Sequence, residues 1–435
     1  MPTTSAIPAI HAIKIIPVKT LKHPDVHMLT HREPSPSPEI TATVKTILDD
    51  VKTQGHEAVL RYARKHDGLT GSLKVTQADI RAKAAKLDPQ VKKAIRGAIA
   101  NVRRFHTLQM EKSWSFKGKD GETLGQIIRP LRRVGVYVPG GAGIYPSTLI
   151  MNSVPAQVAG VGEIAVVTPA PKGIHPSIAF TLLELGITEA YRTGGAQAVA
   201  MLAYGTSKVE RVDKIVGPGN VFATLAKKEV FGTVDIDMIA GPSEILVLAD
   251  ETADPDWVAA DLLSQAEHGS GYEAAVCITT SAKAARWIAE CVTQQVEASP
   301  KRAILEKSLS RFGRIYVVKD WNFGCALADA LAPEHMEIIT RKPEALAARI
   351  RNAGAIFIGG FSSEPVGDYY AGPNHVLPTN GSARFFSPLG TYDFYKRTSL
   401  IQYTPKAMRK HGPLIAALAD TEGFHHHAQA IRKRL

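Results

Sequence analysis

Beyond Gly125, short runs rich in β-branched residues alternate with longer segments of helical periodicity. Four of these runs read as strands, at 134–138 (VGVYV), 164–168 (IAVVT), 245–248 (ILVL) and 274–278 (AAVCI). Consecutive parallel strands need a crossover connection, which is usually a helix. The alternation of strands and helices therefore predicts an α/β fold with a parallel, doubly wound sheet.

The region before this alternation reads differently. From Glu39 to about Thr107 apolar residues recur at helical spacing, which predicts helices. These apolar residues are Ile47, Val51, Val59, Leu60, Val91, Ile95, Ile99 and Val102. The segment up to about Ser37 is a mixed arm, and its proline cluster at 34–38 is typical of a linker.

Composition excludes several classes of protein. At 435 residues, with 45% hydrophobic and 21% charged residues, the chain is long enough for two or more globular domains. Its three cysteines, Cys277, Cys291 and Cys325, contain no C-x-x-C pair, so they support neither a disulfide framework nor a cysteine zinc site. We find no signal peptide and no apolar run of about 18 residues. We therefore expect a cytoplasmic protein without a membrane segment.

The formal charge of +11 is spread along the chain. Lysine and arginine occur in ones and twos between acidic residues, and only Arg432–Arg434 is a concentrated basic run. That run lacks interleaved aromatic residues. We therefore expect no nucleic-acid partner, although a positive field could attract an anionic dinucleotide.

Polar residues interrupt an apolar helical run at 262–269. On a helix Gln265 and His268 would project from one face and could hold the same ion. Further polar clusters follow at Glu334–His335, Asp368 and 422–427. Together they offer the mixed nitrogen and oxygen donors that suit Zn²⁺ or a similar divalent metal, such as Mn²⁺ or Co²⁺. On spacing alone, a hydrogen-bonded surface pair of Gln265 and His268 is the commoner alternative.

Three glycine-rich elements, at 139–141, 193–197 and 216–220, lie among the predicted strands. Glycines beyond the carboxyl ends of parallel strands let the backbone approach a phosphate, so this region is our candidate nucleotide site. A formal dinucleotide fingerprint at 160–165 follows a helical run and precedes a strand, the reverse of the required order. We interpret it as a helix-to-strand turn.

Eight motifs in order make the chain resemble histidinol dehydrogenase from about residue 40 to the end. They are PGG (139–141), TGGAQA (193–198), DKIVGPGN (213–220), AGPSE (240–244), SQAEHG (264–269), APEH (332–335), GDYYAGPNHVLPT (367–379) and EG-x-x-x-H (422–427). The arm carries none of them.

The resemblance implies two incomplete Rossmann-like, doubly wound domains with an N-terminal arm and a helical C-terminal tail. The expected boundaries are 1–37 for the arm, 38–136 plus 240–378 for the domain with most metal and catalytic residues, 137–239 for the NAD domain, and 379–435 for a dimerisation tail. It also implies a homodimer whose active sites are shared between subunits. The implied reaction oxidises L-histidinol through L-histidinal to L-histidine with two NAD⁺ and one zinc per active site, the last two steps of histidine biosynthesis.

The resemblance also assigns residues by motif position. Gln265, His268, Asp368 and His427 are the implied zinc ligands. Tyr137, Gln197 and Asn220 are the implied NAD contacts. The implied substrate contacts are Ser243, His375 and Glu422, together with the four zinc ligands and His335. Glu334 and His335 are similar to the family's acid/base pair.

Chemistry agrees with the last assignment. Hydride loss from an alcohol needs a base for the hydroxyl proton, and a neutral histidine acts near physiological pH, which favours His335. Oxidation of the aldehyde requires addition of water, which Glu334 could activate. Alternatively, Glu334–His335 could be an acidic pair at a helix N-terminus, Tyr137 a core residue, and Asn220 a turn or N-cap residue.

Other interpretations stay open at this point. The tail carries His425 and His426 beside His427, and either could compete for the metal. The chain could also be a relative that oxidises another small polar alcohol, a zinc hydrolase that uses the same donors, or a basic nucleic-acid-binding module.

Overall fold

The computed structural model describes residues 12–32, 37–140 and 143–435. Residues 34–36 of the proline cluster and Gly141 lie outside the described residues. The strands are β1 Lys14–Pro17, β2 Trp114–Lys117, β3 Thr123–Pro130, β4 Arg133–Tyr137, β5 Glu163–Val167, β6 Glu189–Tyr191, β7 Lys214–Val216, β8 Asp235–Ile236, β9 Glu244–Ala249, β10 Ala274–Thr279, β11 Gly313–Val317, β12 His335–Ile339, β13 Ala355–Ile358 and β14 Tyr395–Gln402. The four strands predicted from sequence are β4, β5, β9 and β10, and all four are confirmed.

Helices connect the strands and cover the sheets. They are α1 Pro24–Thr30, α2 Pro38–Gln54, α3 His56–Asp67, α4 Gln77–Ala85, α5 Pro89–Thr107, α6 Pro146–Ala159, α7 Pro176–Glu184, α8 Gly195–Tyr204, α9 Val221–Val230, α10 Pro255–Ala266, α11 Ala282–Ala298, α12 Arg302–Phe312, α13 Trp321–Leu331, α14 Pro343–Ala347, α15 Glu364–Val366, α16 Pro405–Thr421 and α17 His425–Arg432. A π-helical turn at Gly367–Ala371 follows α15, and 3-10 turns occupy Ser382–Arg384 and Thr391–Phe394. Within the described ranges, every helix is too short or too polar to cross a membrane.

One sheet has five parallel strands in the order β6-β5-β4-β7-β8. Side chains of β4 alternate between its two faces, as the pleat requires. Val134 and Val136 pack in the core formed with α4 to α7, whereas Tyr137 packs in the core formed with α2, α3, α8 and α9. The sheet is therefore doubly wound, and its topological switch point lies between the neighbouring strands β4 and β7.

The second sheet has six parallel strands in the order β1-β11-β10-β9-β12-β13. Its switch point lies between β9 and β12, where His335 pairs with Ile245. Both faces are buried, and the central strands β9, β10 and β12 are buried along their whole length. The predicted α/β class with two doubly wound units is confirmed.

The packing differs from the expected domain boundaries. The helices at 38–107 pack mainly on the five-stranded unit, because the apolar stripe of α2 (Val44, Ile47, Leu48, Val51) covers α8 and α9, and α5 packs on α6. Helix α5 also contacts the turn at Gly367–Ala371. The arm is not separate from the body. Residues 14–17 extend the six-stranded sheet as its edge strand β1, paired with β11.

The last part of the chain forms a small outer layer. Strand β14 pairs with β3 in an antiparallel sheet of three strands, β14-β3-β2. Helices α16 and α17 follow and pack on each other. The formal fingerprint at 160–165 is a helix-to-strand turn, as we interpreted it, because Gly160 ends α6 with a left-handed φ of 95°.

Candidate active site

The candidate catalytic pair lies at the amino ends of two neighbouring strands. His335 is the first residue of β12, and Glu334 directly precedes it. Glu244 is the first residue of β9, and Ser243 directly precedes it. The four residues therefore meet at the switch point of the six-stranded sheet. Helix α13 ends just before, with Ala332 in the left-handed region at φ 46°. The alternative that Glu334–His335 starts a helix is wrong. The site thus lies at the amino ends of the strands, whereas open α/β sheets usually bind ligands at the carboxyl ends.

The backbone of Glu244 orients His335. Nδ1 of His335 lies 3.0 Å from the carbonyl oxygen of Glu244, which can only accept, so Nδ1 carries a proton. Nε2 is buried and has no hydrogen-bond partner among the described residues. It lies 3.6 Å from Oδ1 of Asp368 and 3.8 Å from Oε1 of Glu364. In the neutral imidazole, the lone pair therefore points toward these carboxylates.

Charge and burial act against each other around His335. Burial alone lowers the pKa of His335, but the surrounding carboxylates, Glu334 foremost, raise that pKa to about 10. Burial raises the pKa of Glu334 to about 8. Glu334 also accepts the backbone N–H of Glu244 at 3.0 Å through Oε2. Without a bound cation, the surroundings thus favour the imidazolium over the neutral histidine that we expected.

A π-helical turn and the loop that follows it bring Asp368 and His375 to this point. Asp368 lies in the Gly367–Ala371 turn, and such turns are frequent at functional sites. Burial opposes its ionisation, but the neighbouring His335 and His375 keep the pKa of Asp368 well below its ordinary value. Burial lowers the pKa of His375, whose Nδ1 lies 3.0 Å from the carbonyl oxygen of Asp368.

Glu364 is a site residue that the sequence did not reveal. It is 3% exposed, and burial raises its pKa to about 8, with Asp368 as the next cause. Its backbone N–H donates to Oε1 of Glu337 at 2.6 Å. In the sequence, Ser363-Glu364-Pro365 looks like an ordinary helix start, and the only available signal was its nearness to Asp368.

Gln265 and His268 occupy different environments. Gln265 is 1% exposed, and its Oε1 is buried with no hydrogen-bond partner in the described part of the chain. Helix α10 ends at Ala266, so His268 lies beyond the helix and is exposed, with Nδ1 3.1 Å from the carbonyl oxygen of Gln265. The expectation that both side chains project from one helix face is therefore wrong.

This donor set fits a divalent cation. Single ligand atoms from His335, Glu364 and Asp368 all lie within 4.8 Å of one another. Gln265 adds an unpartnered carbonyl oxygen, and its side chain is close enough to Glu364 to oppose the rise of that pKa. The carboxyl end of α10 adds a partial negative charge. Two of the four predicted metal ligands, Gln265 and Asp368, thus reach one buried cluster, which also contains His335 and Glu364.

The predicted tail residues lie elsewhere in the chain. Glu422 ends α16, His427 lies in α17, and both are exposed. Neither has a side-chain hydrogen bond or ion pair within the described residues. His425 and His426 are exposed on the same helix. Ser243 is half-buried beside Glu244, at the opening of β9.

The three predicted NAD contacts line one cavity. This cavity of about 620 Å³ lies at the carboxyl ends of β4 and β7, at the switch point of the five-stranded sheet. Tyr137, Gln197 and Asn220 all line it, together with Gly140 and Asp67. A Cβ at nearby Gly217, whose φ is 108°, would collide with the carbonyl oxygen of Tyr137. This is the place where such sheets bind nucleotides.

Each of the three residues also has a structural role. The Tyr137 hydroxyl accepts the N–H of Gly195 at 2.8 Å, and burial raises the pKa of Tyr137 to about 12. Asn220 is the N-cap of α9. Gln197 donates to Oδ2 of Asp67 at 3.0 Å, and Asp67 also accepts the N–H of Gly194 at 3.1 Å. The N–H groups of Gly194, the N-cap of α8, and of Gly195, its first residue, are therefore already bonded inside the protein.

The segment at 368–374 also contacts the helices that cover the five-stranded sheet. Asn101 of α5 donates to the carbonyl oxygen of Tyr370 at 2.9 Å, and Asn374 donates to that of Met151 in α6 at 2.6 Å. The fold thus joins two switch-point units, one with a nucleotide-sized cavity and one with a buried imidazole–carboxylate cluster. These features define an α/β protein with a buried cluster of titratable side chains suited to acid–base chemistry.

Comparisons with known proteins agree with this class. The family model described as histidinol dehydrogenase matches residues 30–435. The histidinol dehydrogenase of Bacillus subtilis (strain 168) is 50% identical over 395 residues, covering 90% of this chain and 92% of that protein. That of Heliobacterium mobile is 48% identical over 401 residues, covering 91% and 94%. The crystal structure of histidinol dehydrogenase from Elizabethkingia anophelis superposes with a TM-score of 0.92 at 34% identity and covers 98% of each chain. The chain belongs to the histidinol dehydrogenase family, an oxidoreductase family.

Proposed function

We propose that this protein oxidises L-histidinol to L-histidine through L-histidinal, with NAD⁺ as the hydride acceptor in both steps, and so completes histidine biosynthesis. Family membership supports the substrate. The observation that carries the chemistry is the orientation of His335, whose Nε2 is buried, unpaired within the described residues and held by a Nδ1 bond to a backbone carbonyl. A base for the hydroxyl proton needs this arrangement.

We assign the zinc ion to Gln265, His268 and Asp368, with His427 supplied by a second copy of the chain. The unpartnered Oε1 of Gln265 and the ionised Asp368 support the first and third of these assignments. His268 is exposed, with Nδ1 3.1 Å from the carbonyl oxygen of Gln265, and its assignment rests on its position in the SQAEHG motif. When bound, Zn²⁺ would orient the substrate, and its positive charge beside Asp368 would lower the pKa of His335 toward the physiological range.

His335 would accept the alcohol proton at Nε2 as hydride leaves for NAD⁺. Glu334 lies 3.7 Å from Nδ1 of His335, and its raised pKa suits it to take a proton from the water that adds to the aldehyde. Ser243, His375 and Glu422, the last from a second copy, are the proposed substrate contacts. Tyr137, Gln197 and Asn220 are the proposed NAD contacts. The family match favours this function over a zinc hydrolase or a nucleic-acid-binding module.

The decisive experiment measures NADH formed per L-histidinol consumed by the metal-replete protein, after chelation, and after zinc is restored. We expect two NADH per substrate, lost on chelation and regained with zinc. One NADH per substrate would contradict the four-electron oxidation. Full activity after complete metal removal would contradict the zinc assignment, and no turnover would direct the search to other small polar alcohols.

A further inference from the structure

Both candidate catalytic side chains are held by the backbone of one residue, Glu244. Its N–H donates to Oε2 of Glu334 at 3.0 Å, and its carbonyl oxygen accepts from Nδ1 of His335 at 3.0 Å. Glu244 is the first residue of β9, where it pairs with Ala274 of β10 and is followed by the pairing of Ile245 with His335. A displacement of this strand end would move the hydrogen-bond partners of both catalytic groups together.

The side chain of Glu244 ties this strand end to two distant segments. Its Oε2 lies 2.8 Å from the guanidinium of Arg32, and its Oε1 accepts the backbone N–H of Asn380. The side chains of Arg32 and Glu244 are 1% and 10% exposed. Arg32 follows α1, and Asn380 has a left-handed φ of 55°. The arm and the segment that leads to the tail therefore meet directly behind the catalytic pair.

A buried carboxylate is costly unless it is paired and hydrogen-bonded. Burial raises the pKa of Glu244, whereas the charge of Arg32 opposes that rise. Arg32 in turn lies 5.9 Å from the ring centroid of Phe312 in the body. Loss of either charge would therefore leave the other buried without this counter-ion, with hydrogen bonds to Asn380 remaining.

We propose that Arg32 and Glu244 act as a positioning pair, in which the ion pair between the arm and the start of β9 holds the Glu244 backbone where it orients Glu334 and His335 for catalysis. The proposal rests on the proposed function for its kinetic test. It gives the arm a role in the active site, although the arm carries none of the family motifs.

The first test compares E244Q with D25N in the full-length, zinc-loaded protein. A glutamine must turn its NH₂ toward either Arg32 or the Asn380 N–H, so it cannot accept from both donors. D25N is the matched control, because Asp25 joins α1 to β11 through Arg314 at 2.8 Å and does not contact Glu334 or His335. For E244Q we expect kcat to fall about tenfold or more, with KM for histidinol and zinc content near wild type. For D25N we expect kcat to stay within about twofold, since it touches no reacting group.

The second test separates positioning from stability. R32M leaves a buried carboxylate unpaired and should lower the melting temperature, whereas R32M/E244Q removes both charges and should recover much of that loss. We expect kcat to stay low in the double variant. A kcat that recovers in parallel with the melting temperature, or a folded E244Q with wild-type kcat, would overturn the proposal.

A spectroscopic measurement does not depend on turnover. The Nδ1–H of His335 should give a protected downfield proton resonance that H335N lacks. We expect this resonance to shift or broaden in E244Q and to be unchanged in D25N. An unchanged resonance in E244Q would overturn the proposal even if the wild-type protein failed to oxidise histidinol, which by itself would refute only the proposed function.

Discussion

Replacing His335 by asparagine should abolish most of the hydride transfer while leaving the metal bound. The imidazole contributes Nε2, which is the buried base, and an Nδ1–H bond of 3.0 Å to Glu244. The asparagine amide can replace the bond to Glu244, but it offers no basic nitrogen at the Nε2 position. A positioned general base contributes about 10²- to 10⁴-fold, so we expect kcat to fall by that factor, or about 3–5 kcal/mol of transition-state stabilisation.

Stopped-flow formation of NADH from saturating L-histidinol in a single turnover measures this loss, and metal analysis of the same samples measures zinc. The zinc result is critical because His335, Glu364 and Asp368 could themselves hold an ion. Zinc content near one per subunit with a slow first hydride transfer supports a base. Loss of zinc from H335N would show that His335 is a ligand, and a rate within a few-fold of wild type would refute its role as the base.

Three further predictions follow from the site and the core behind it. E334Q should impair oxidation of added histidinal more than oxidation of histidinol to histidinal, because only the aldehyde step needs an activated water; equal impairment in separate half-reaction assays would exclude that role. Mixing H335N with H427A subunits should restore about a quarter of the wild-type sites, since half of randomly formed dimers are mixed and each has one intact shared site; no recovery after co-refolding would place His427 in its own subunit's site. Burial raises the pKa of Glu337 to about 9, and the adjoining carboxyl group of Asp261 adds to the rise. Protonated Glu337 therefore contributes to the stability of the fold below about pH 4.5, and this contribution is lost as the pH rises toward 9. E337Q should therefore flatten the decline of the urea midpoint between pH 6 and pH 9, and an unchanged slope would contradict this.

The sequence by itself determined much of this protein. β-Branched runs predicted β4, β5, β9 and β10, because a strand buried on both faces must be apolar throughout. Periodicity predicted the helices at 38–107. The order of helix and strand around Gly160 excluded phosphate binding and predicted the helix end that Gly160 forms. The ordered motifs predicted the family, which the comparisons confirm.

Only the tertiary structure decided which of these elements meet. Periodicity shows that a helix has an apolar face but not which sheet that face covers, and only the packing shows that α2 covers α8 and α9. A helix end is a matter of one or two residues, and for that reason His268 lies outside the helix that buries Gln265. Glu244 closes the AGPSE motif and Glu364 lies near Asp368, but neither pattern shows a contact with the catalytic pair. Both residues matter because strands and turns from distant parts of the chain converge on His335. Local patterns encode local structure, whereas a site assembled across long sequence separations depends on packing that the patterns do not record.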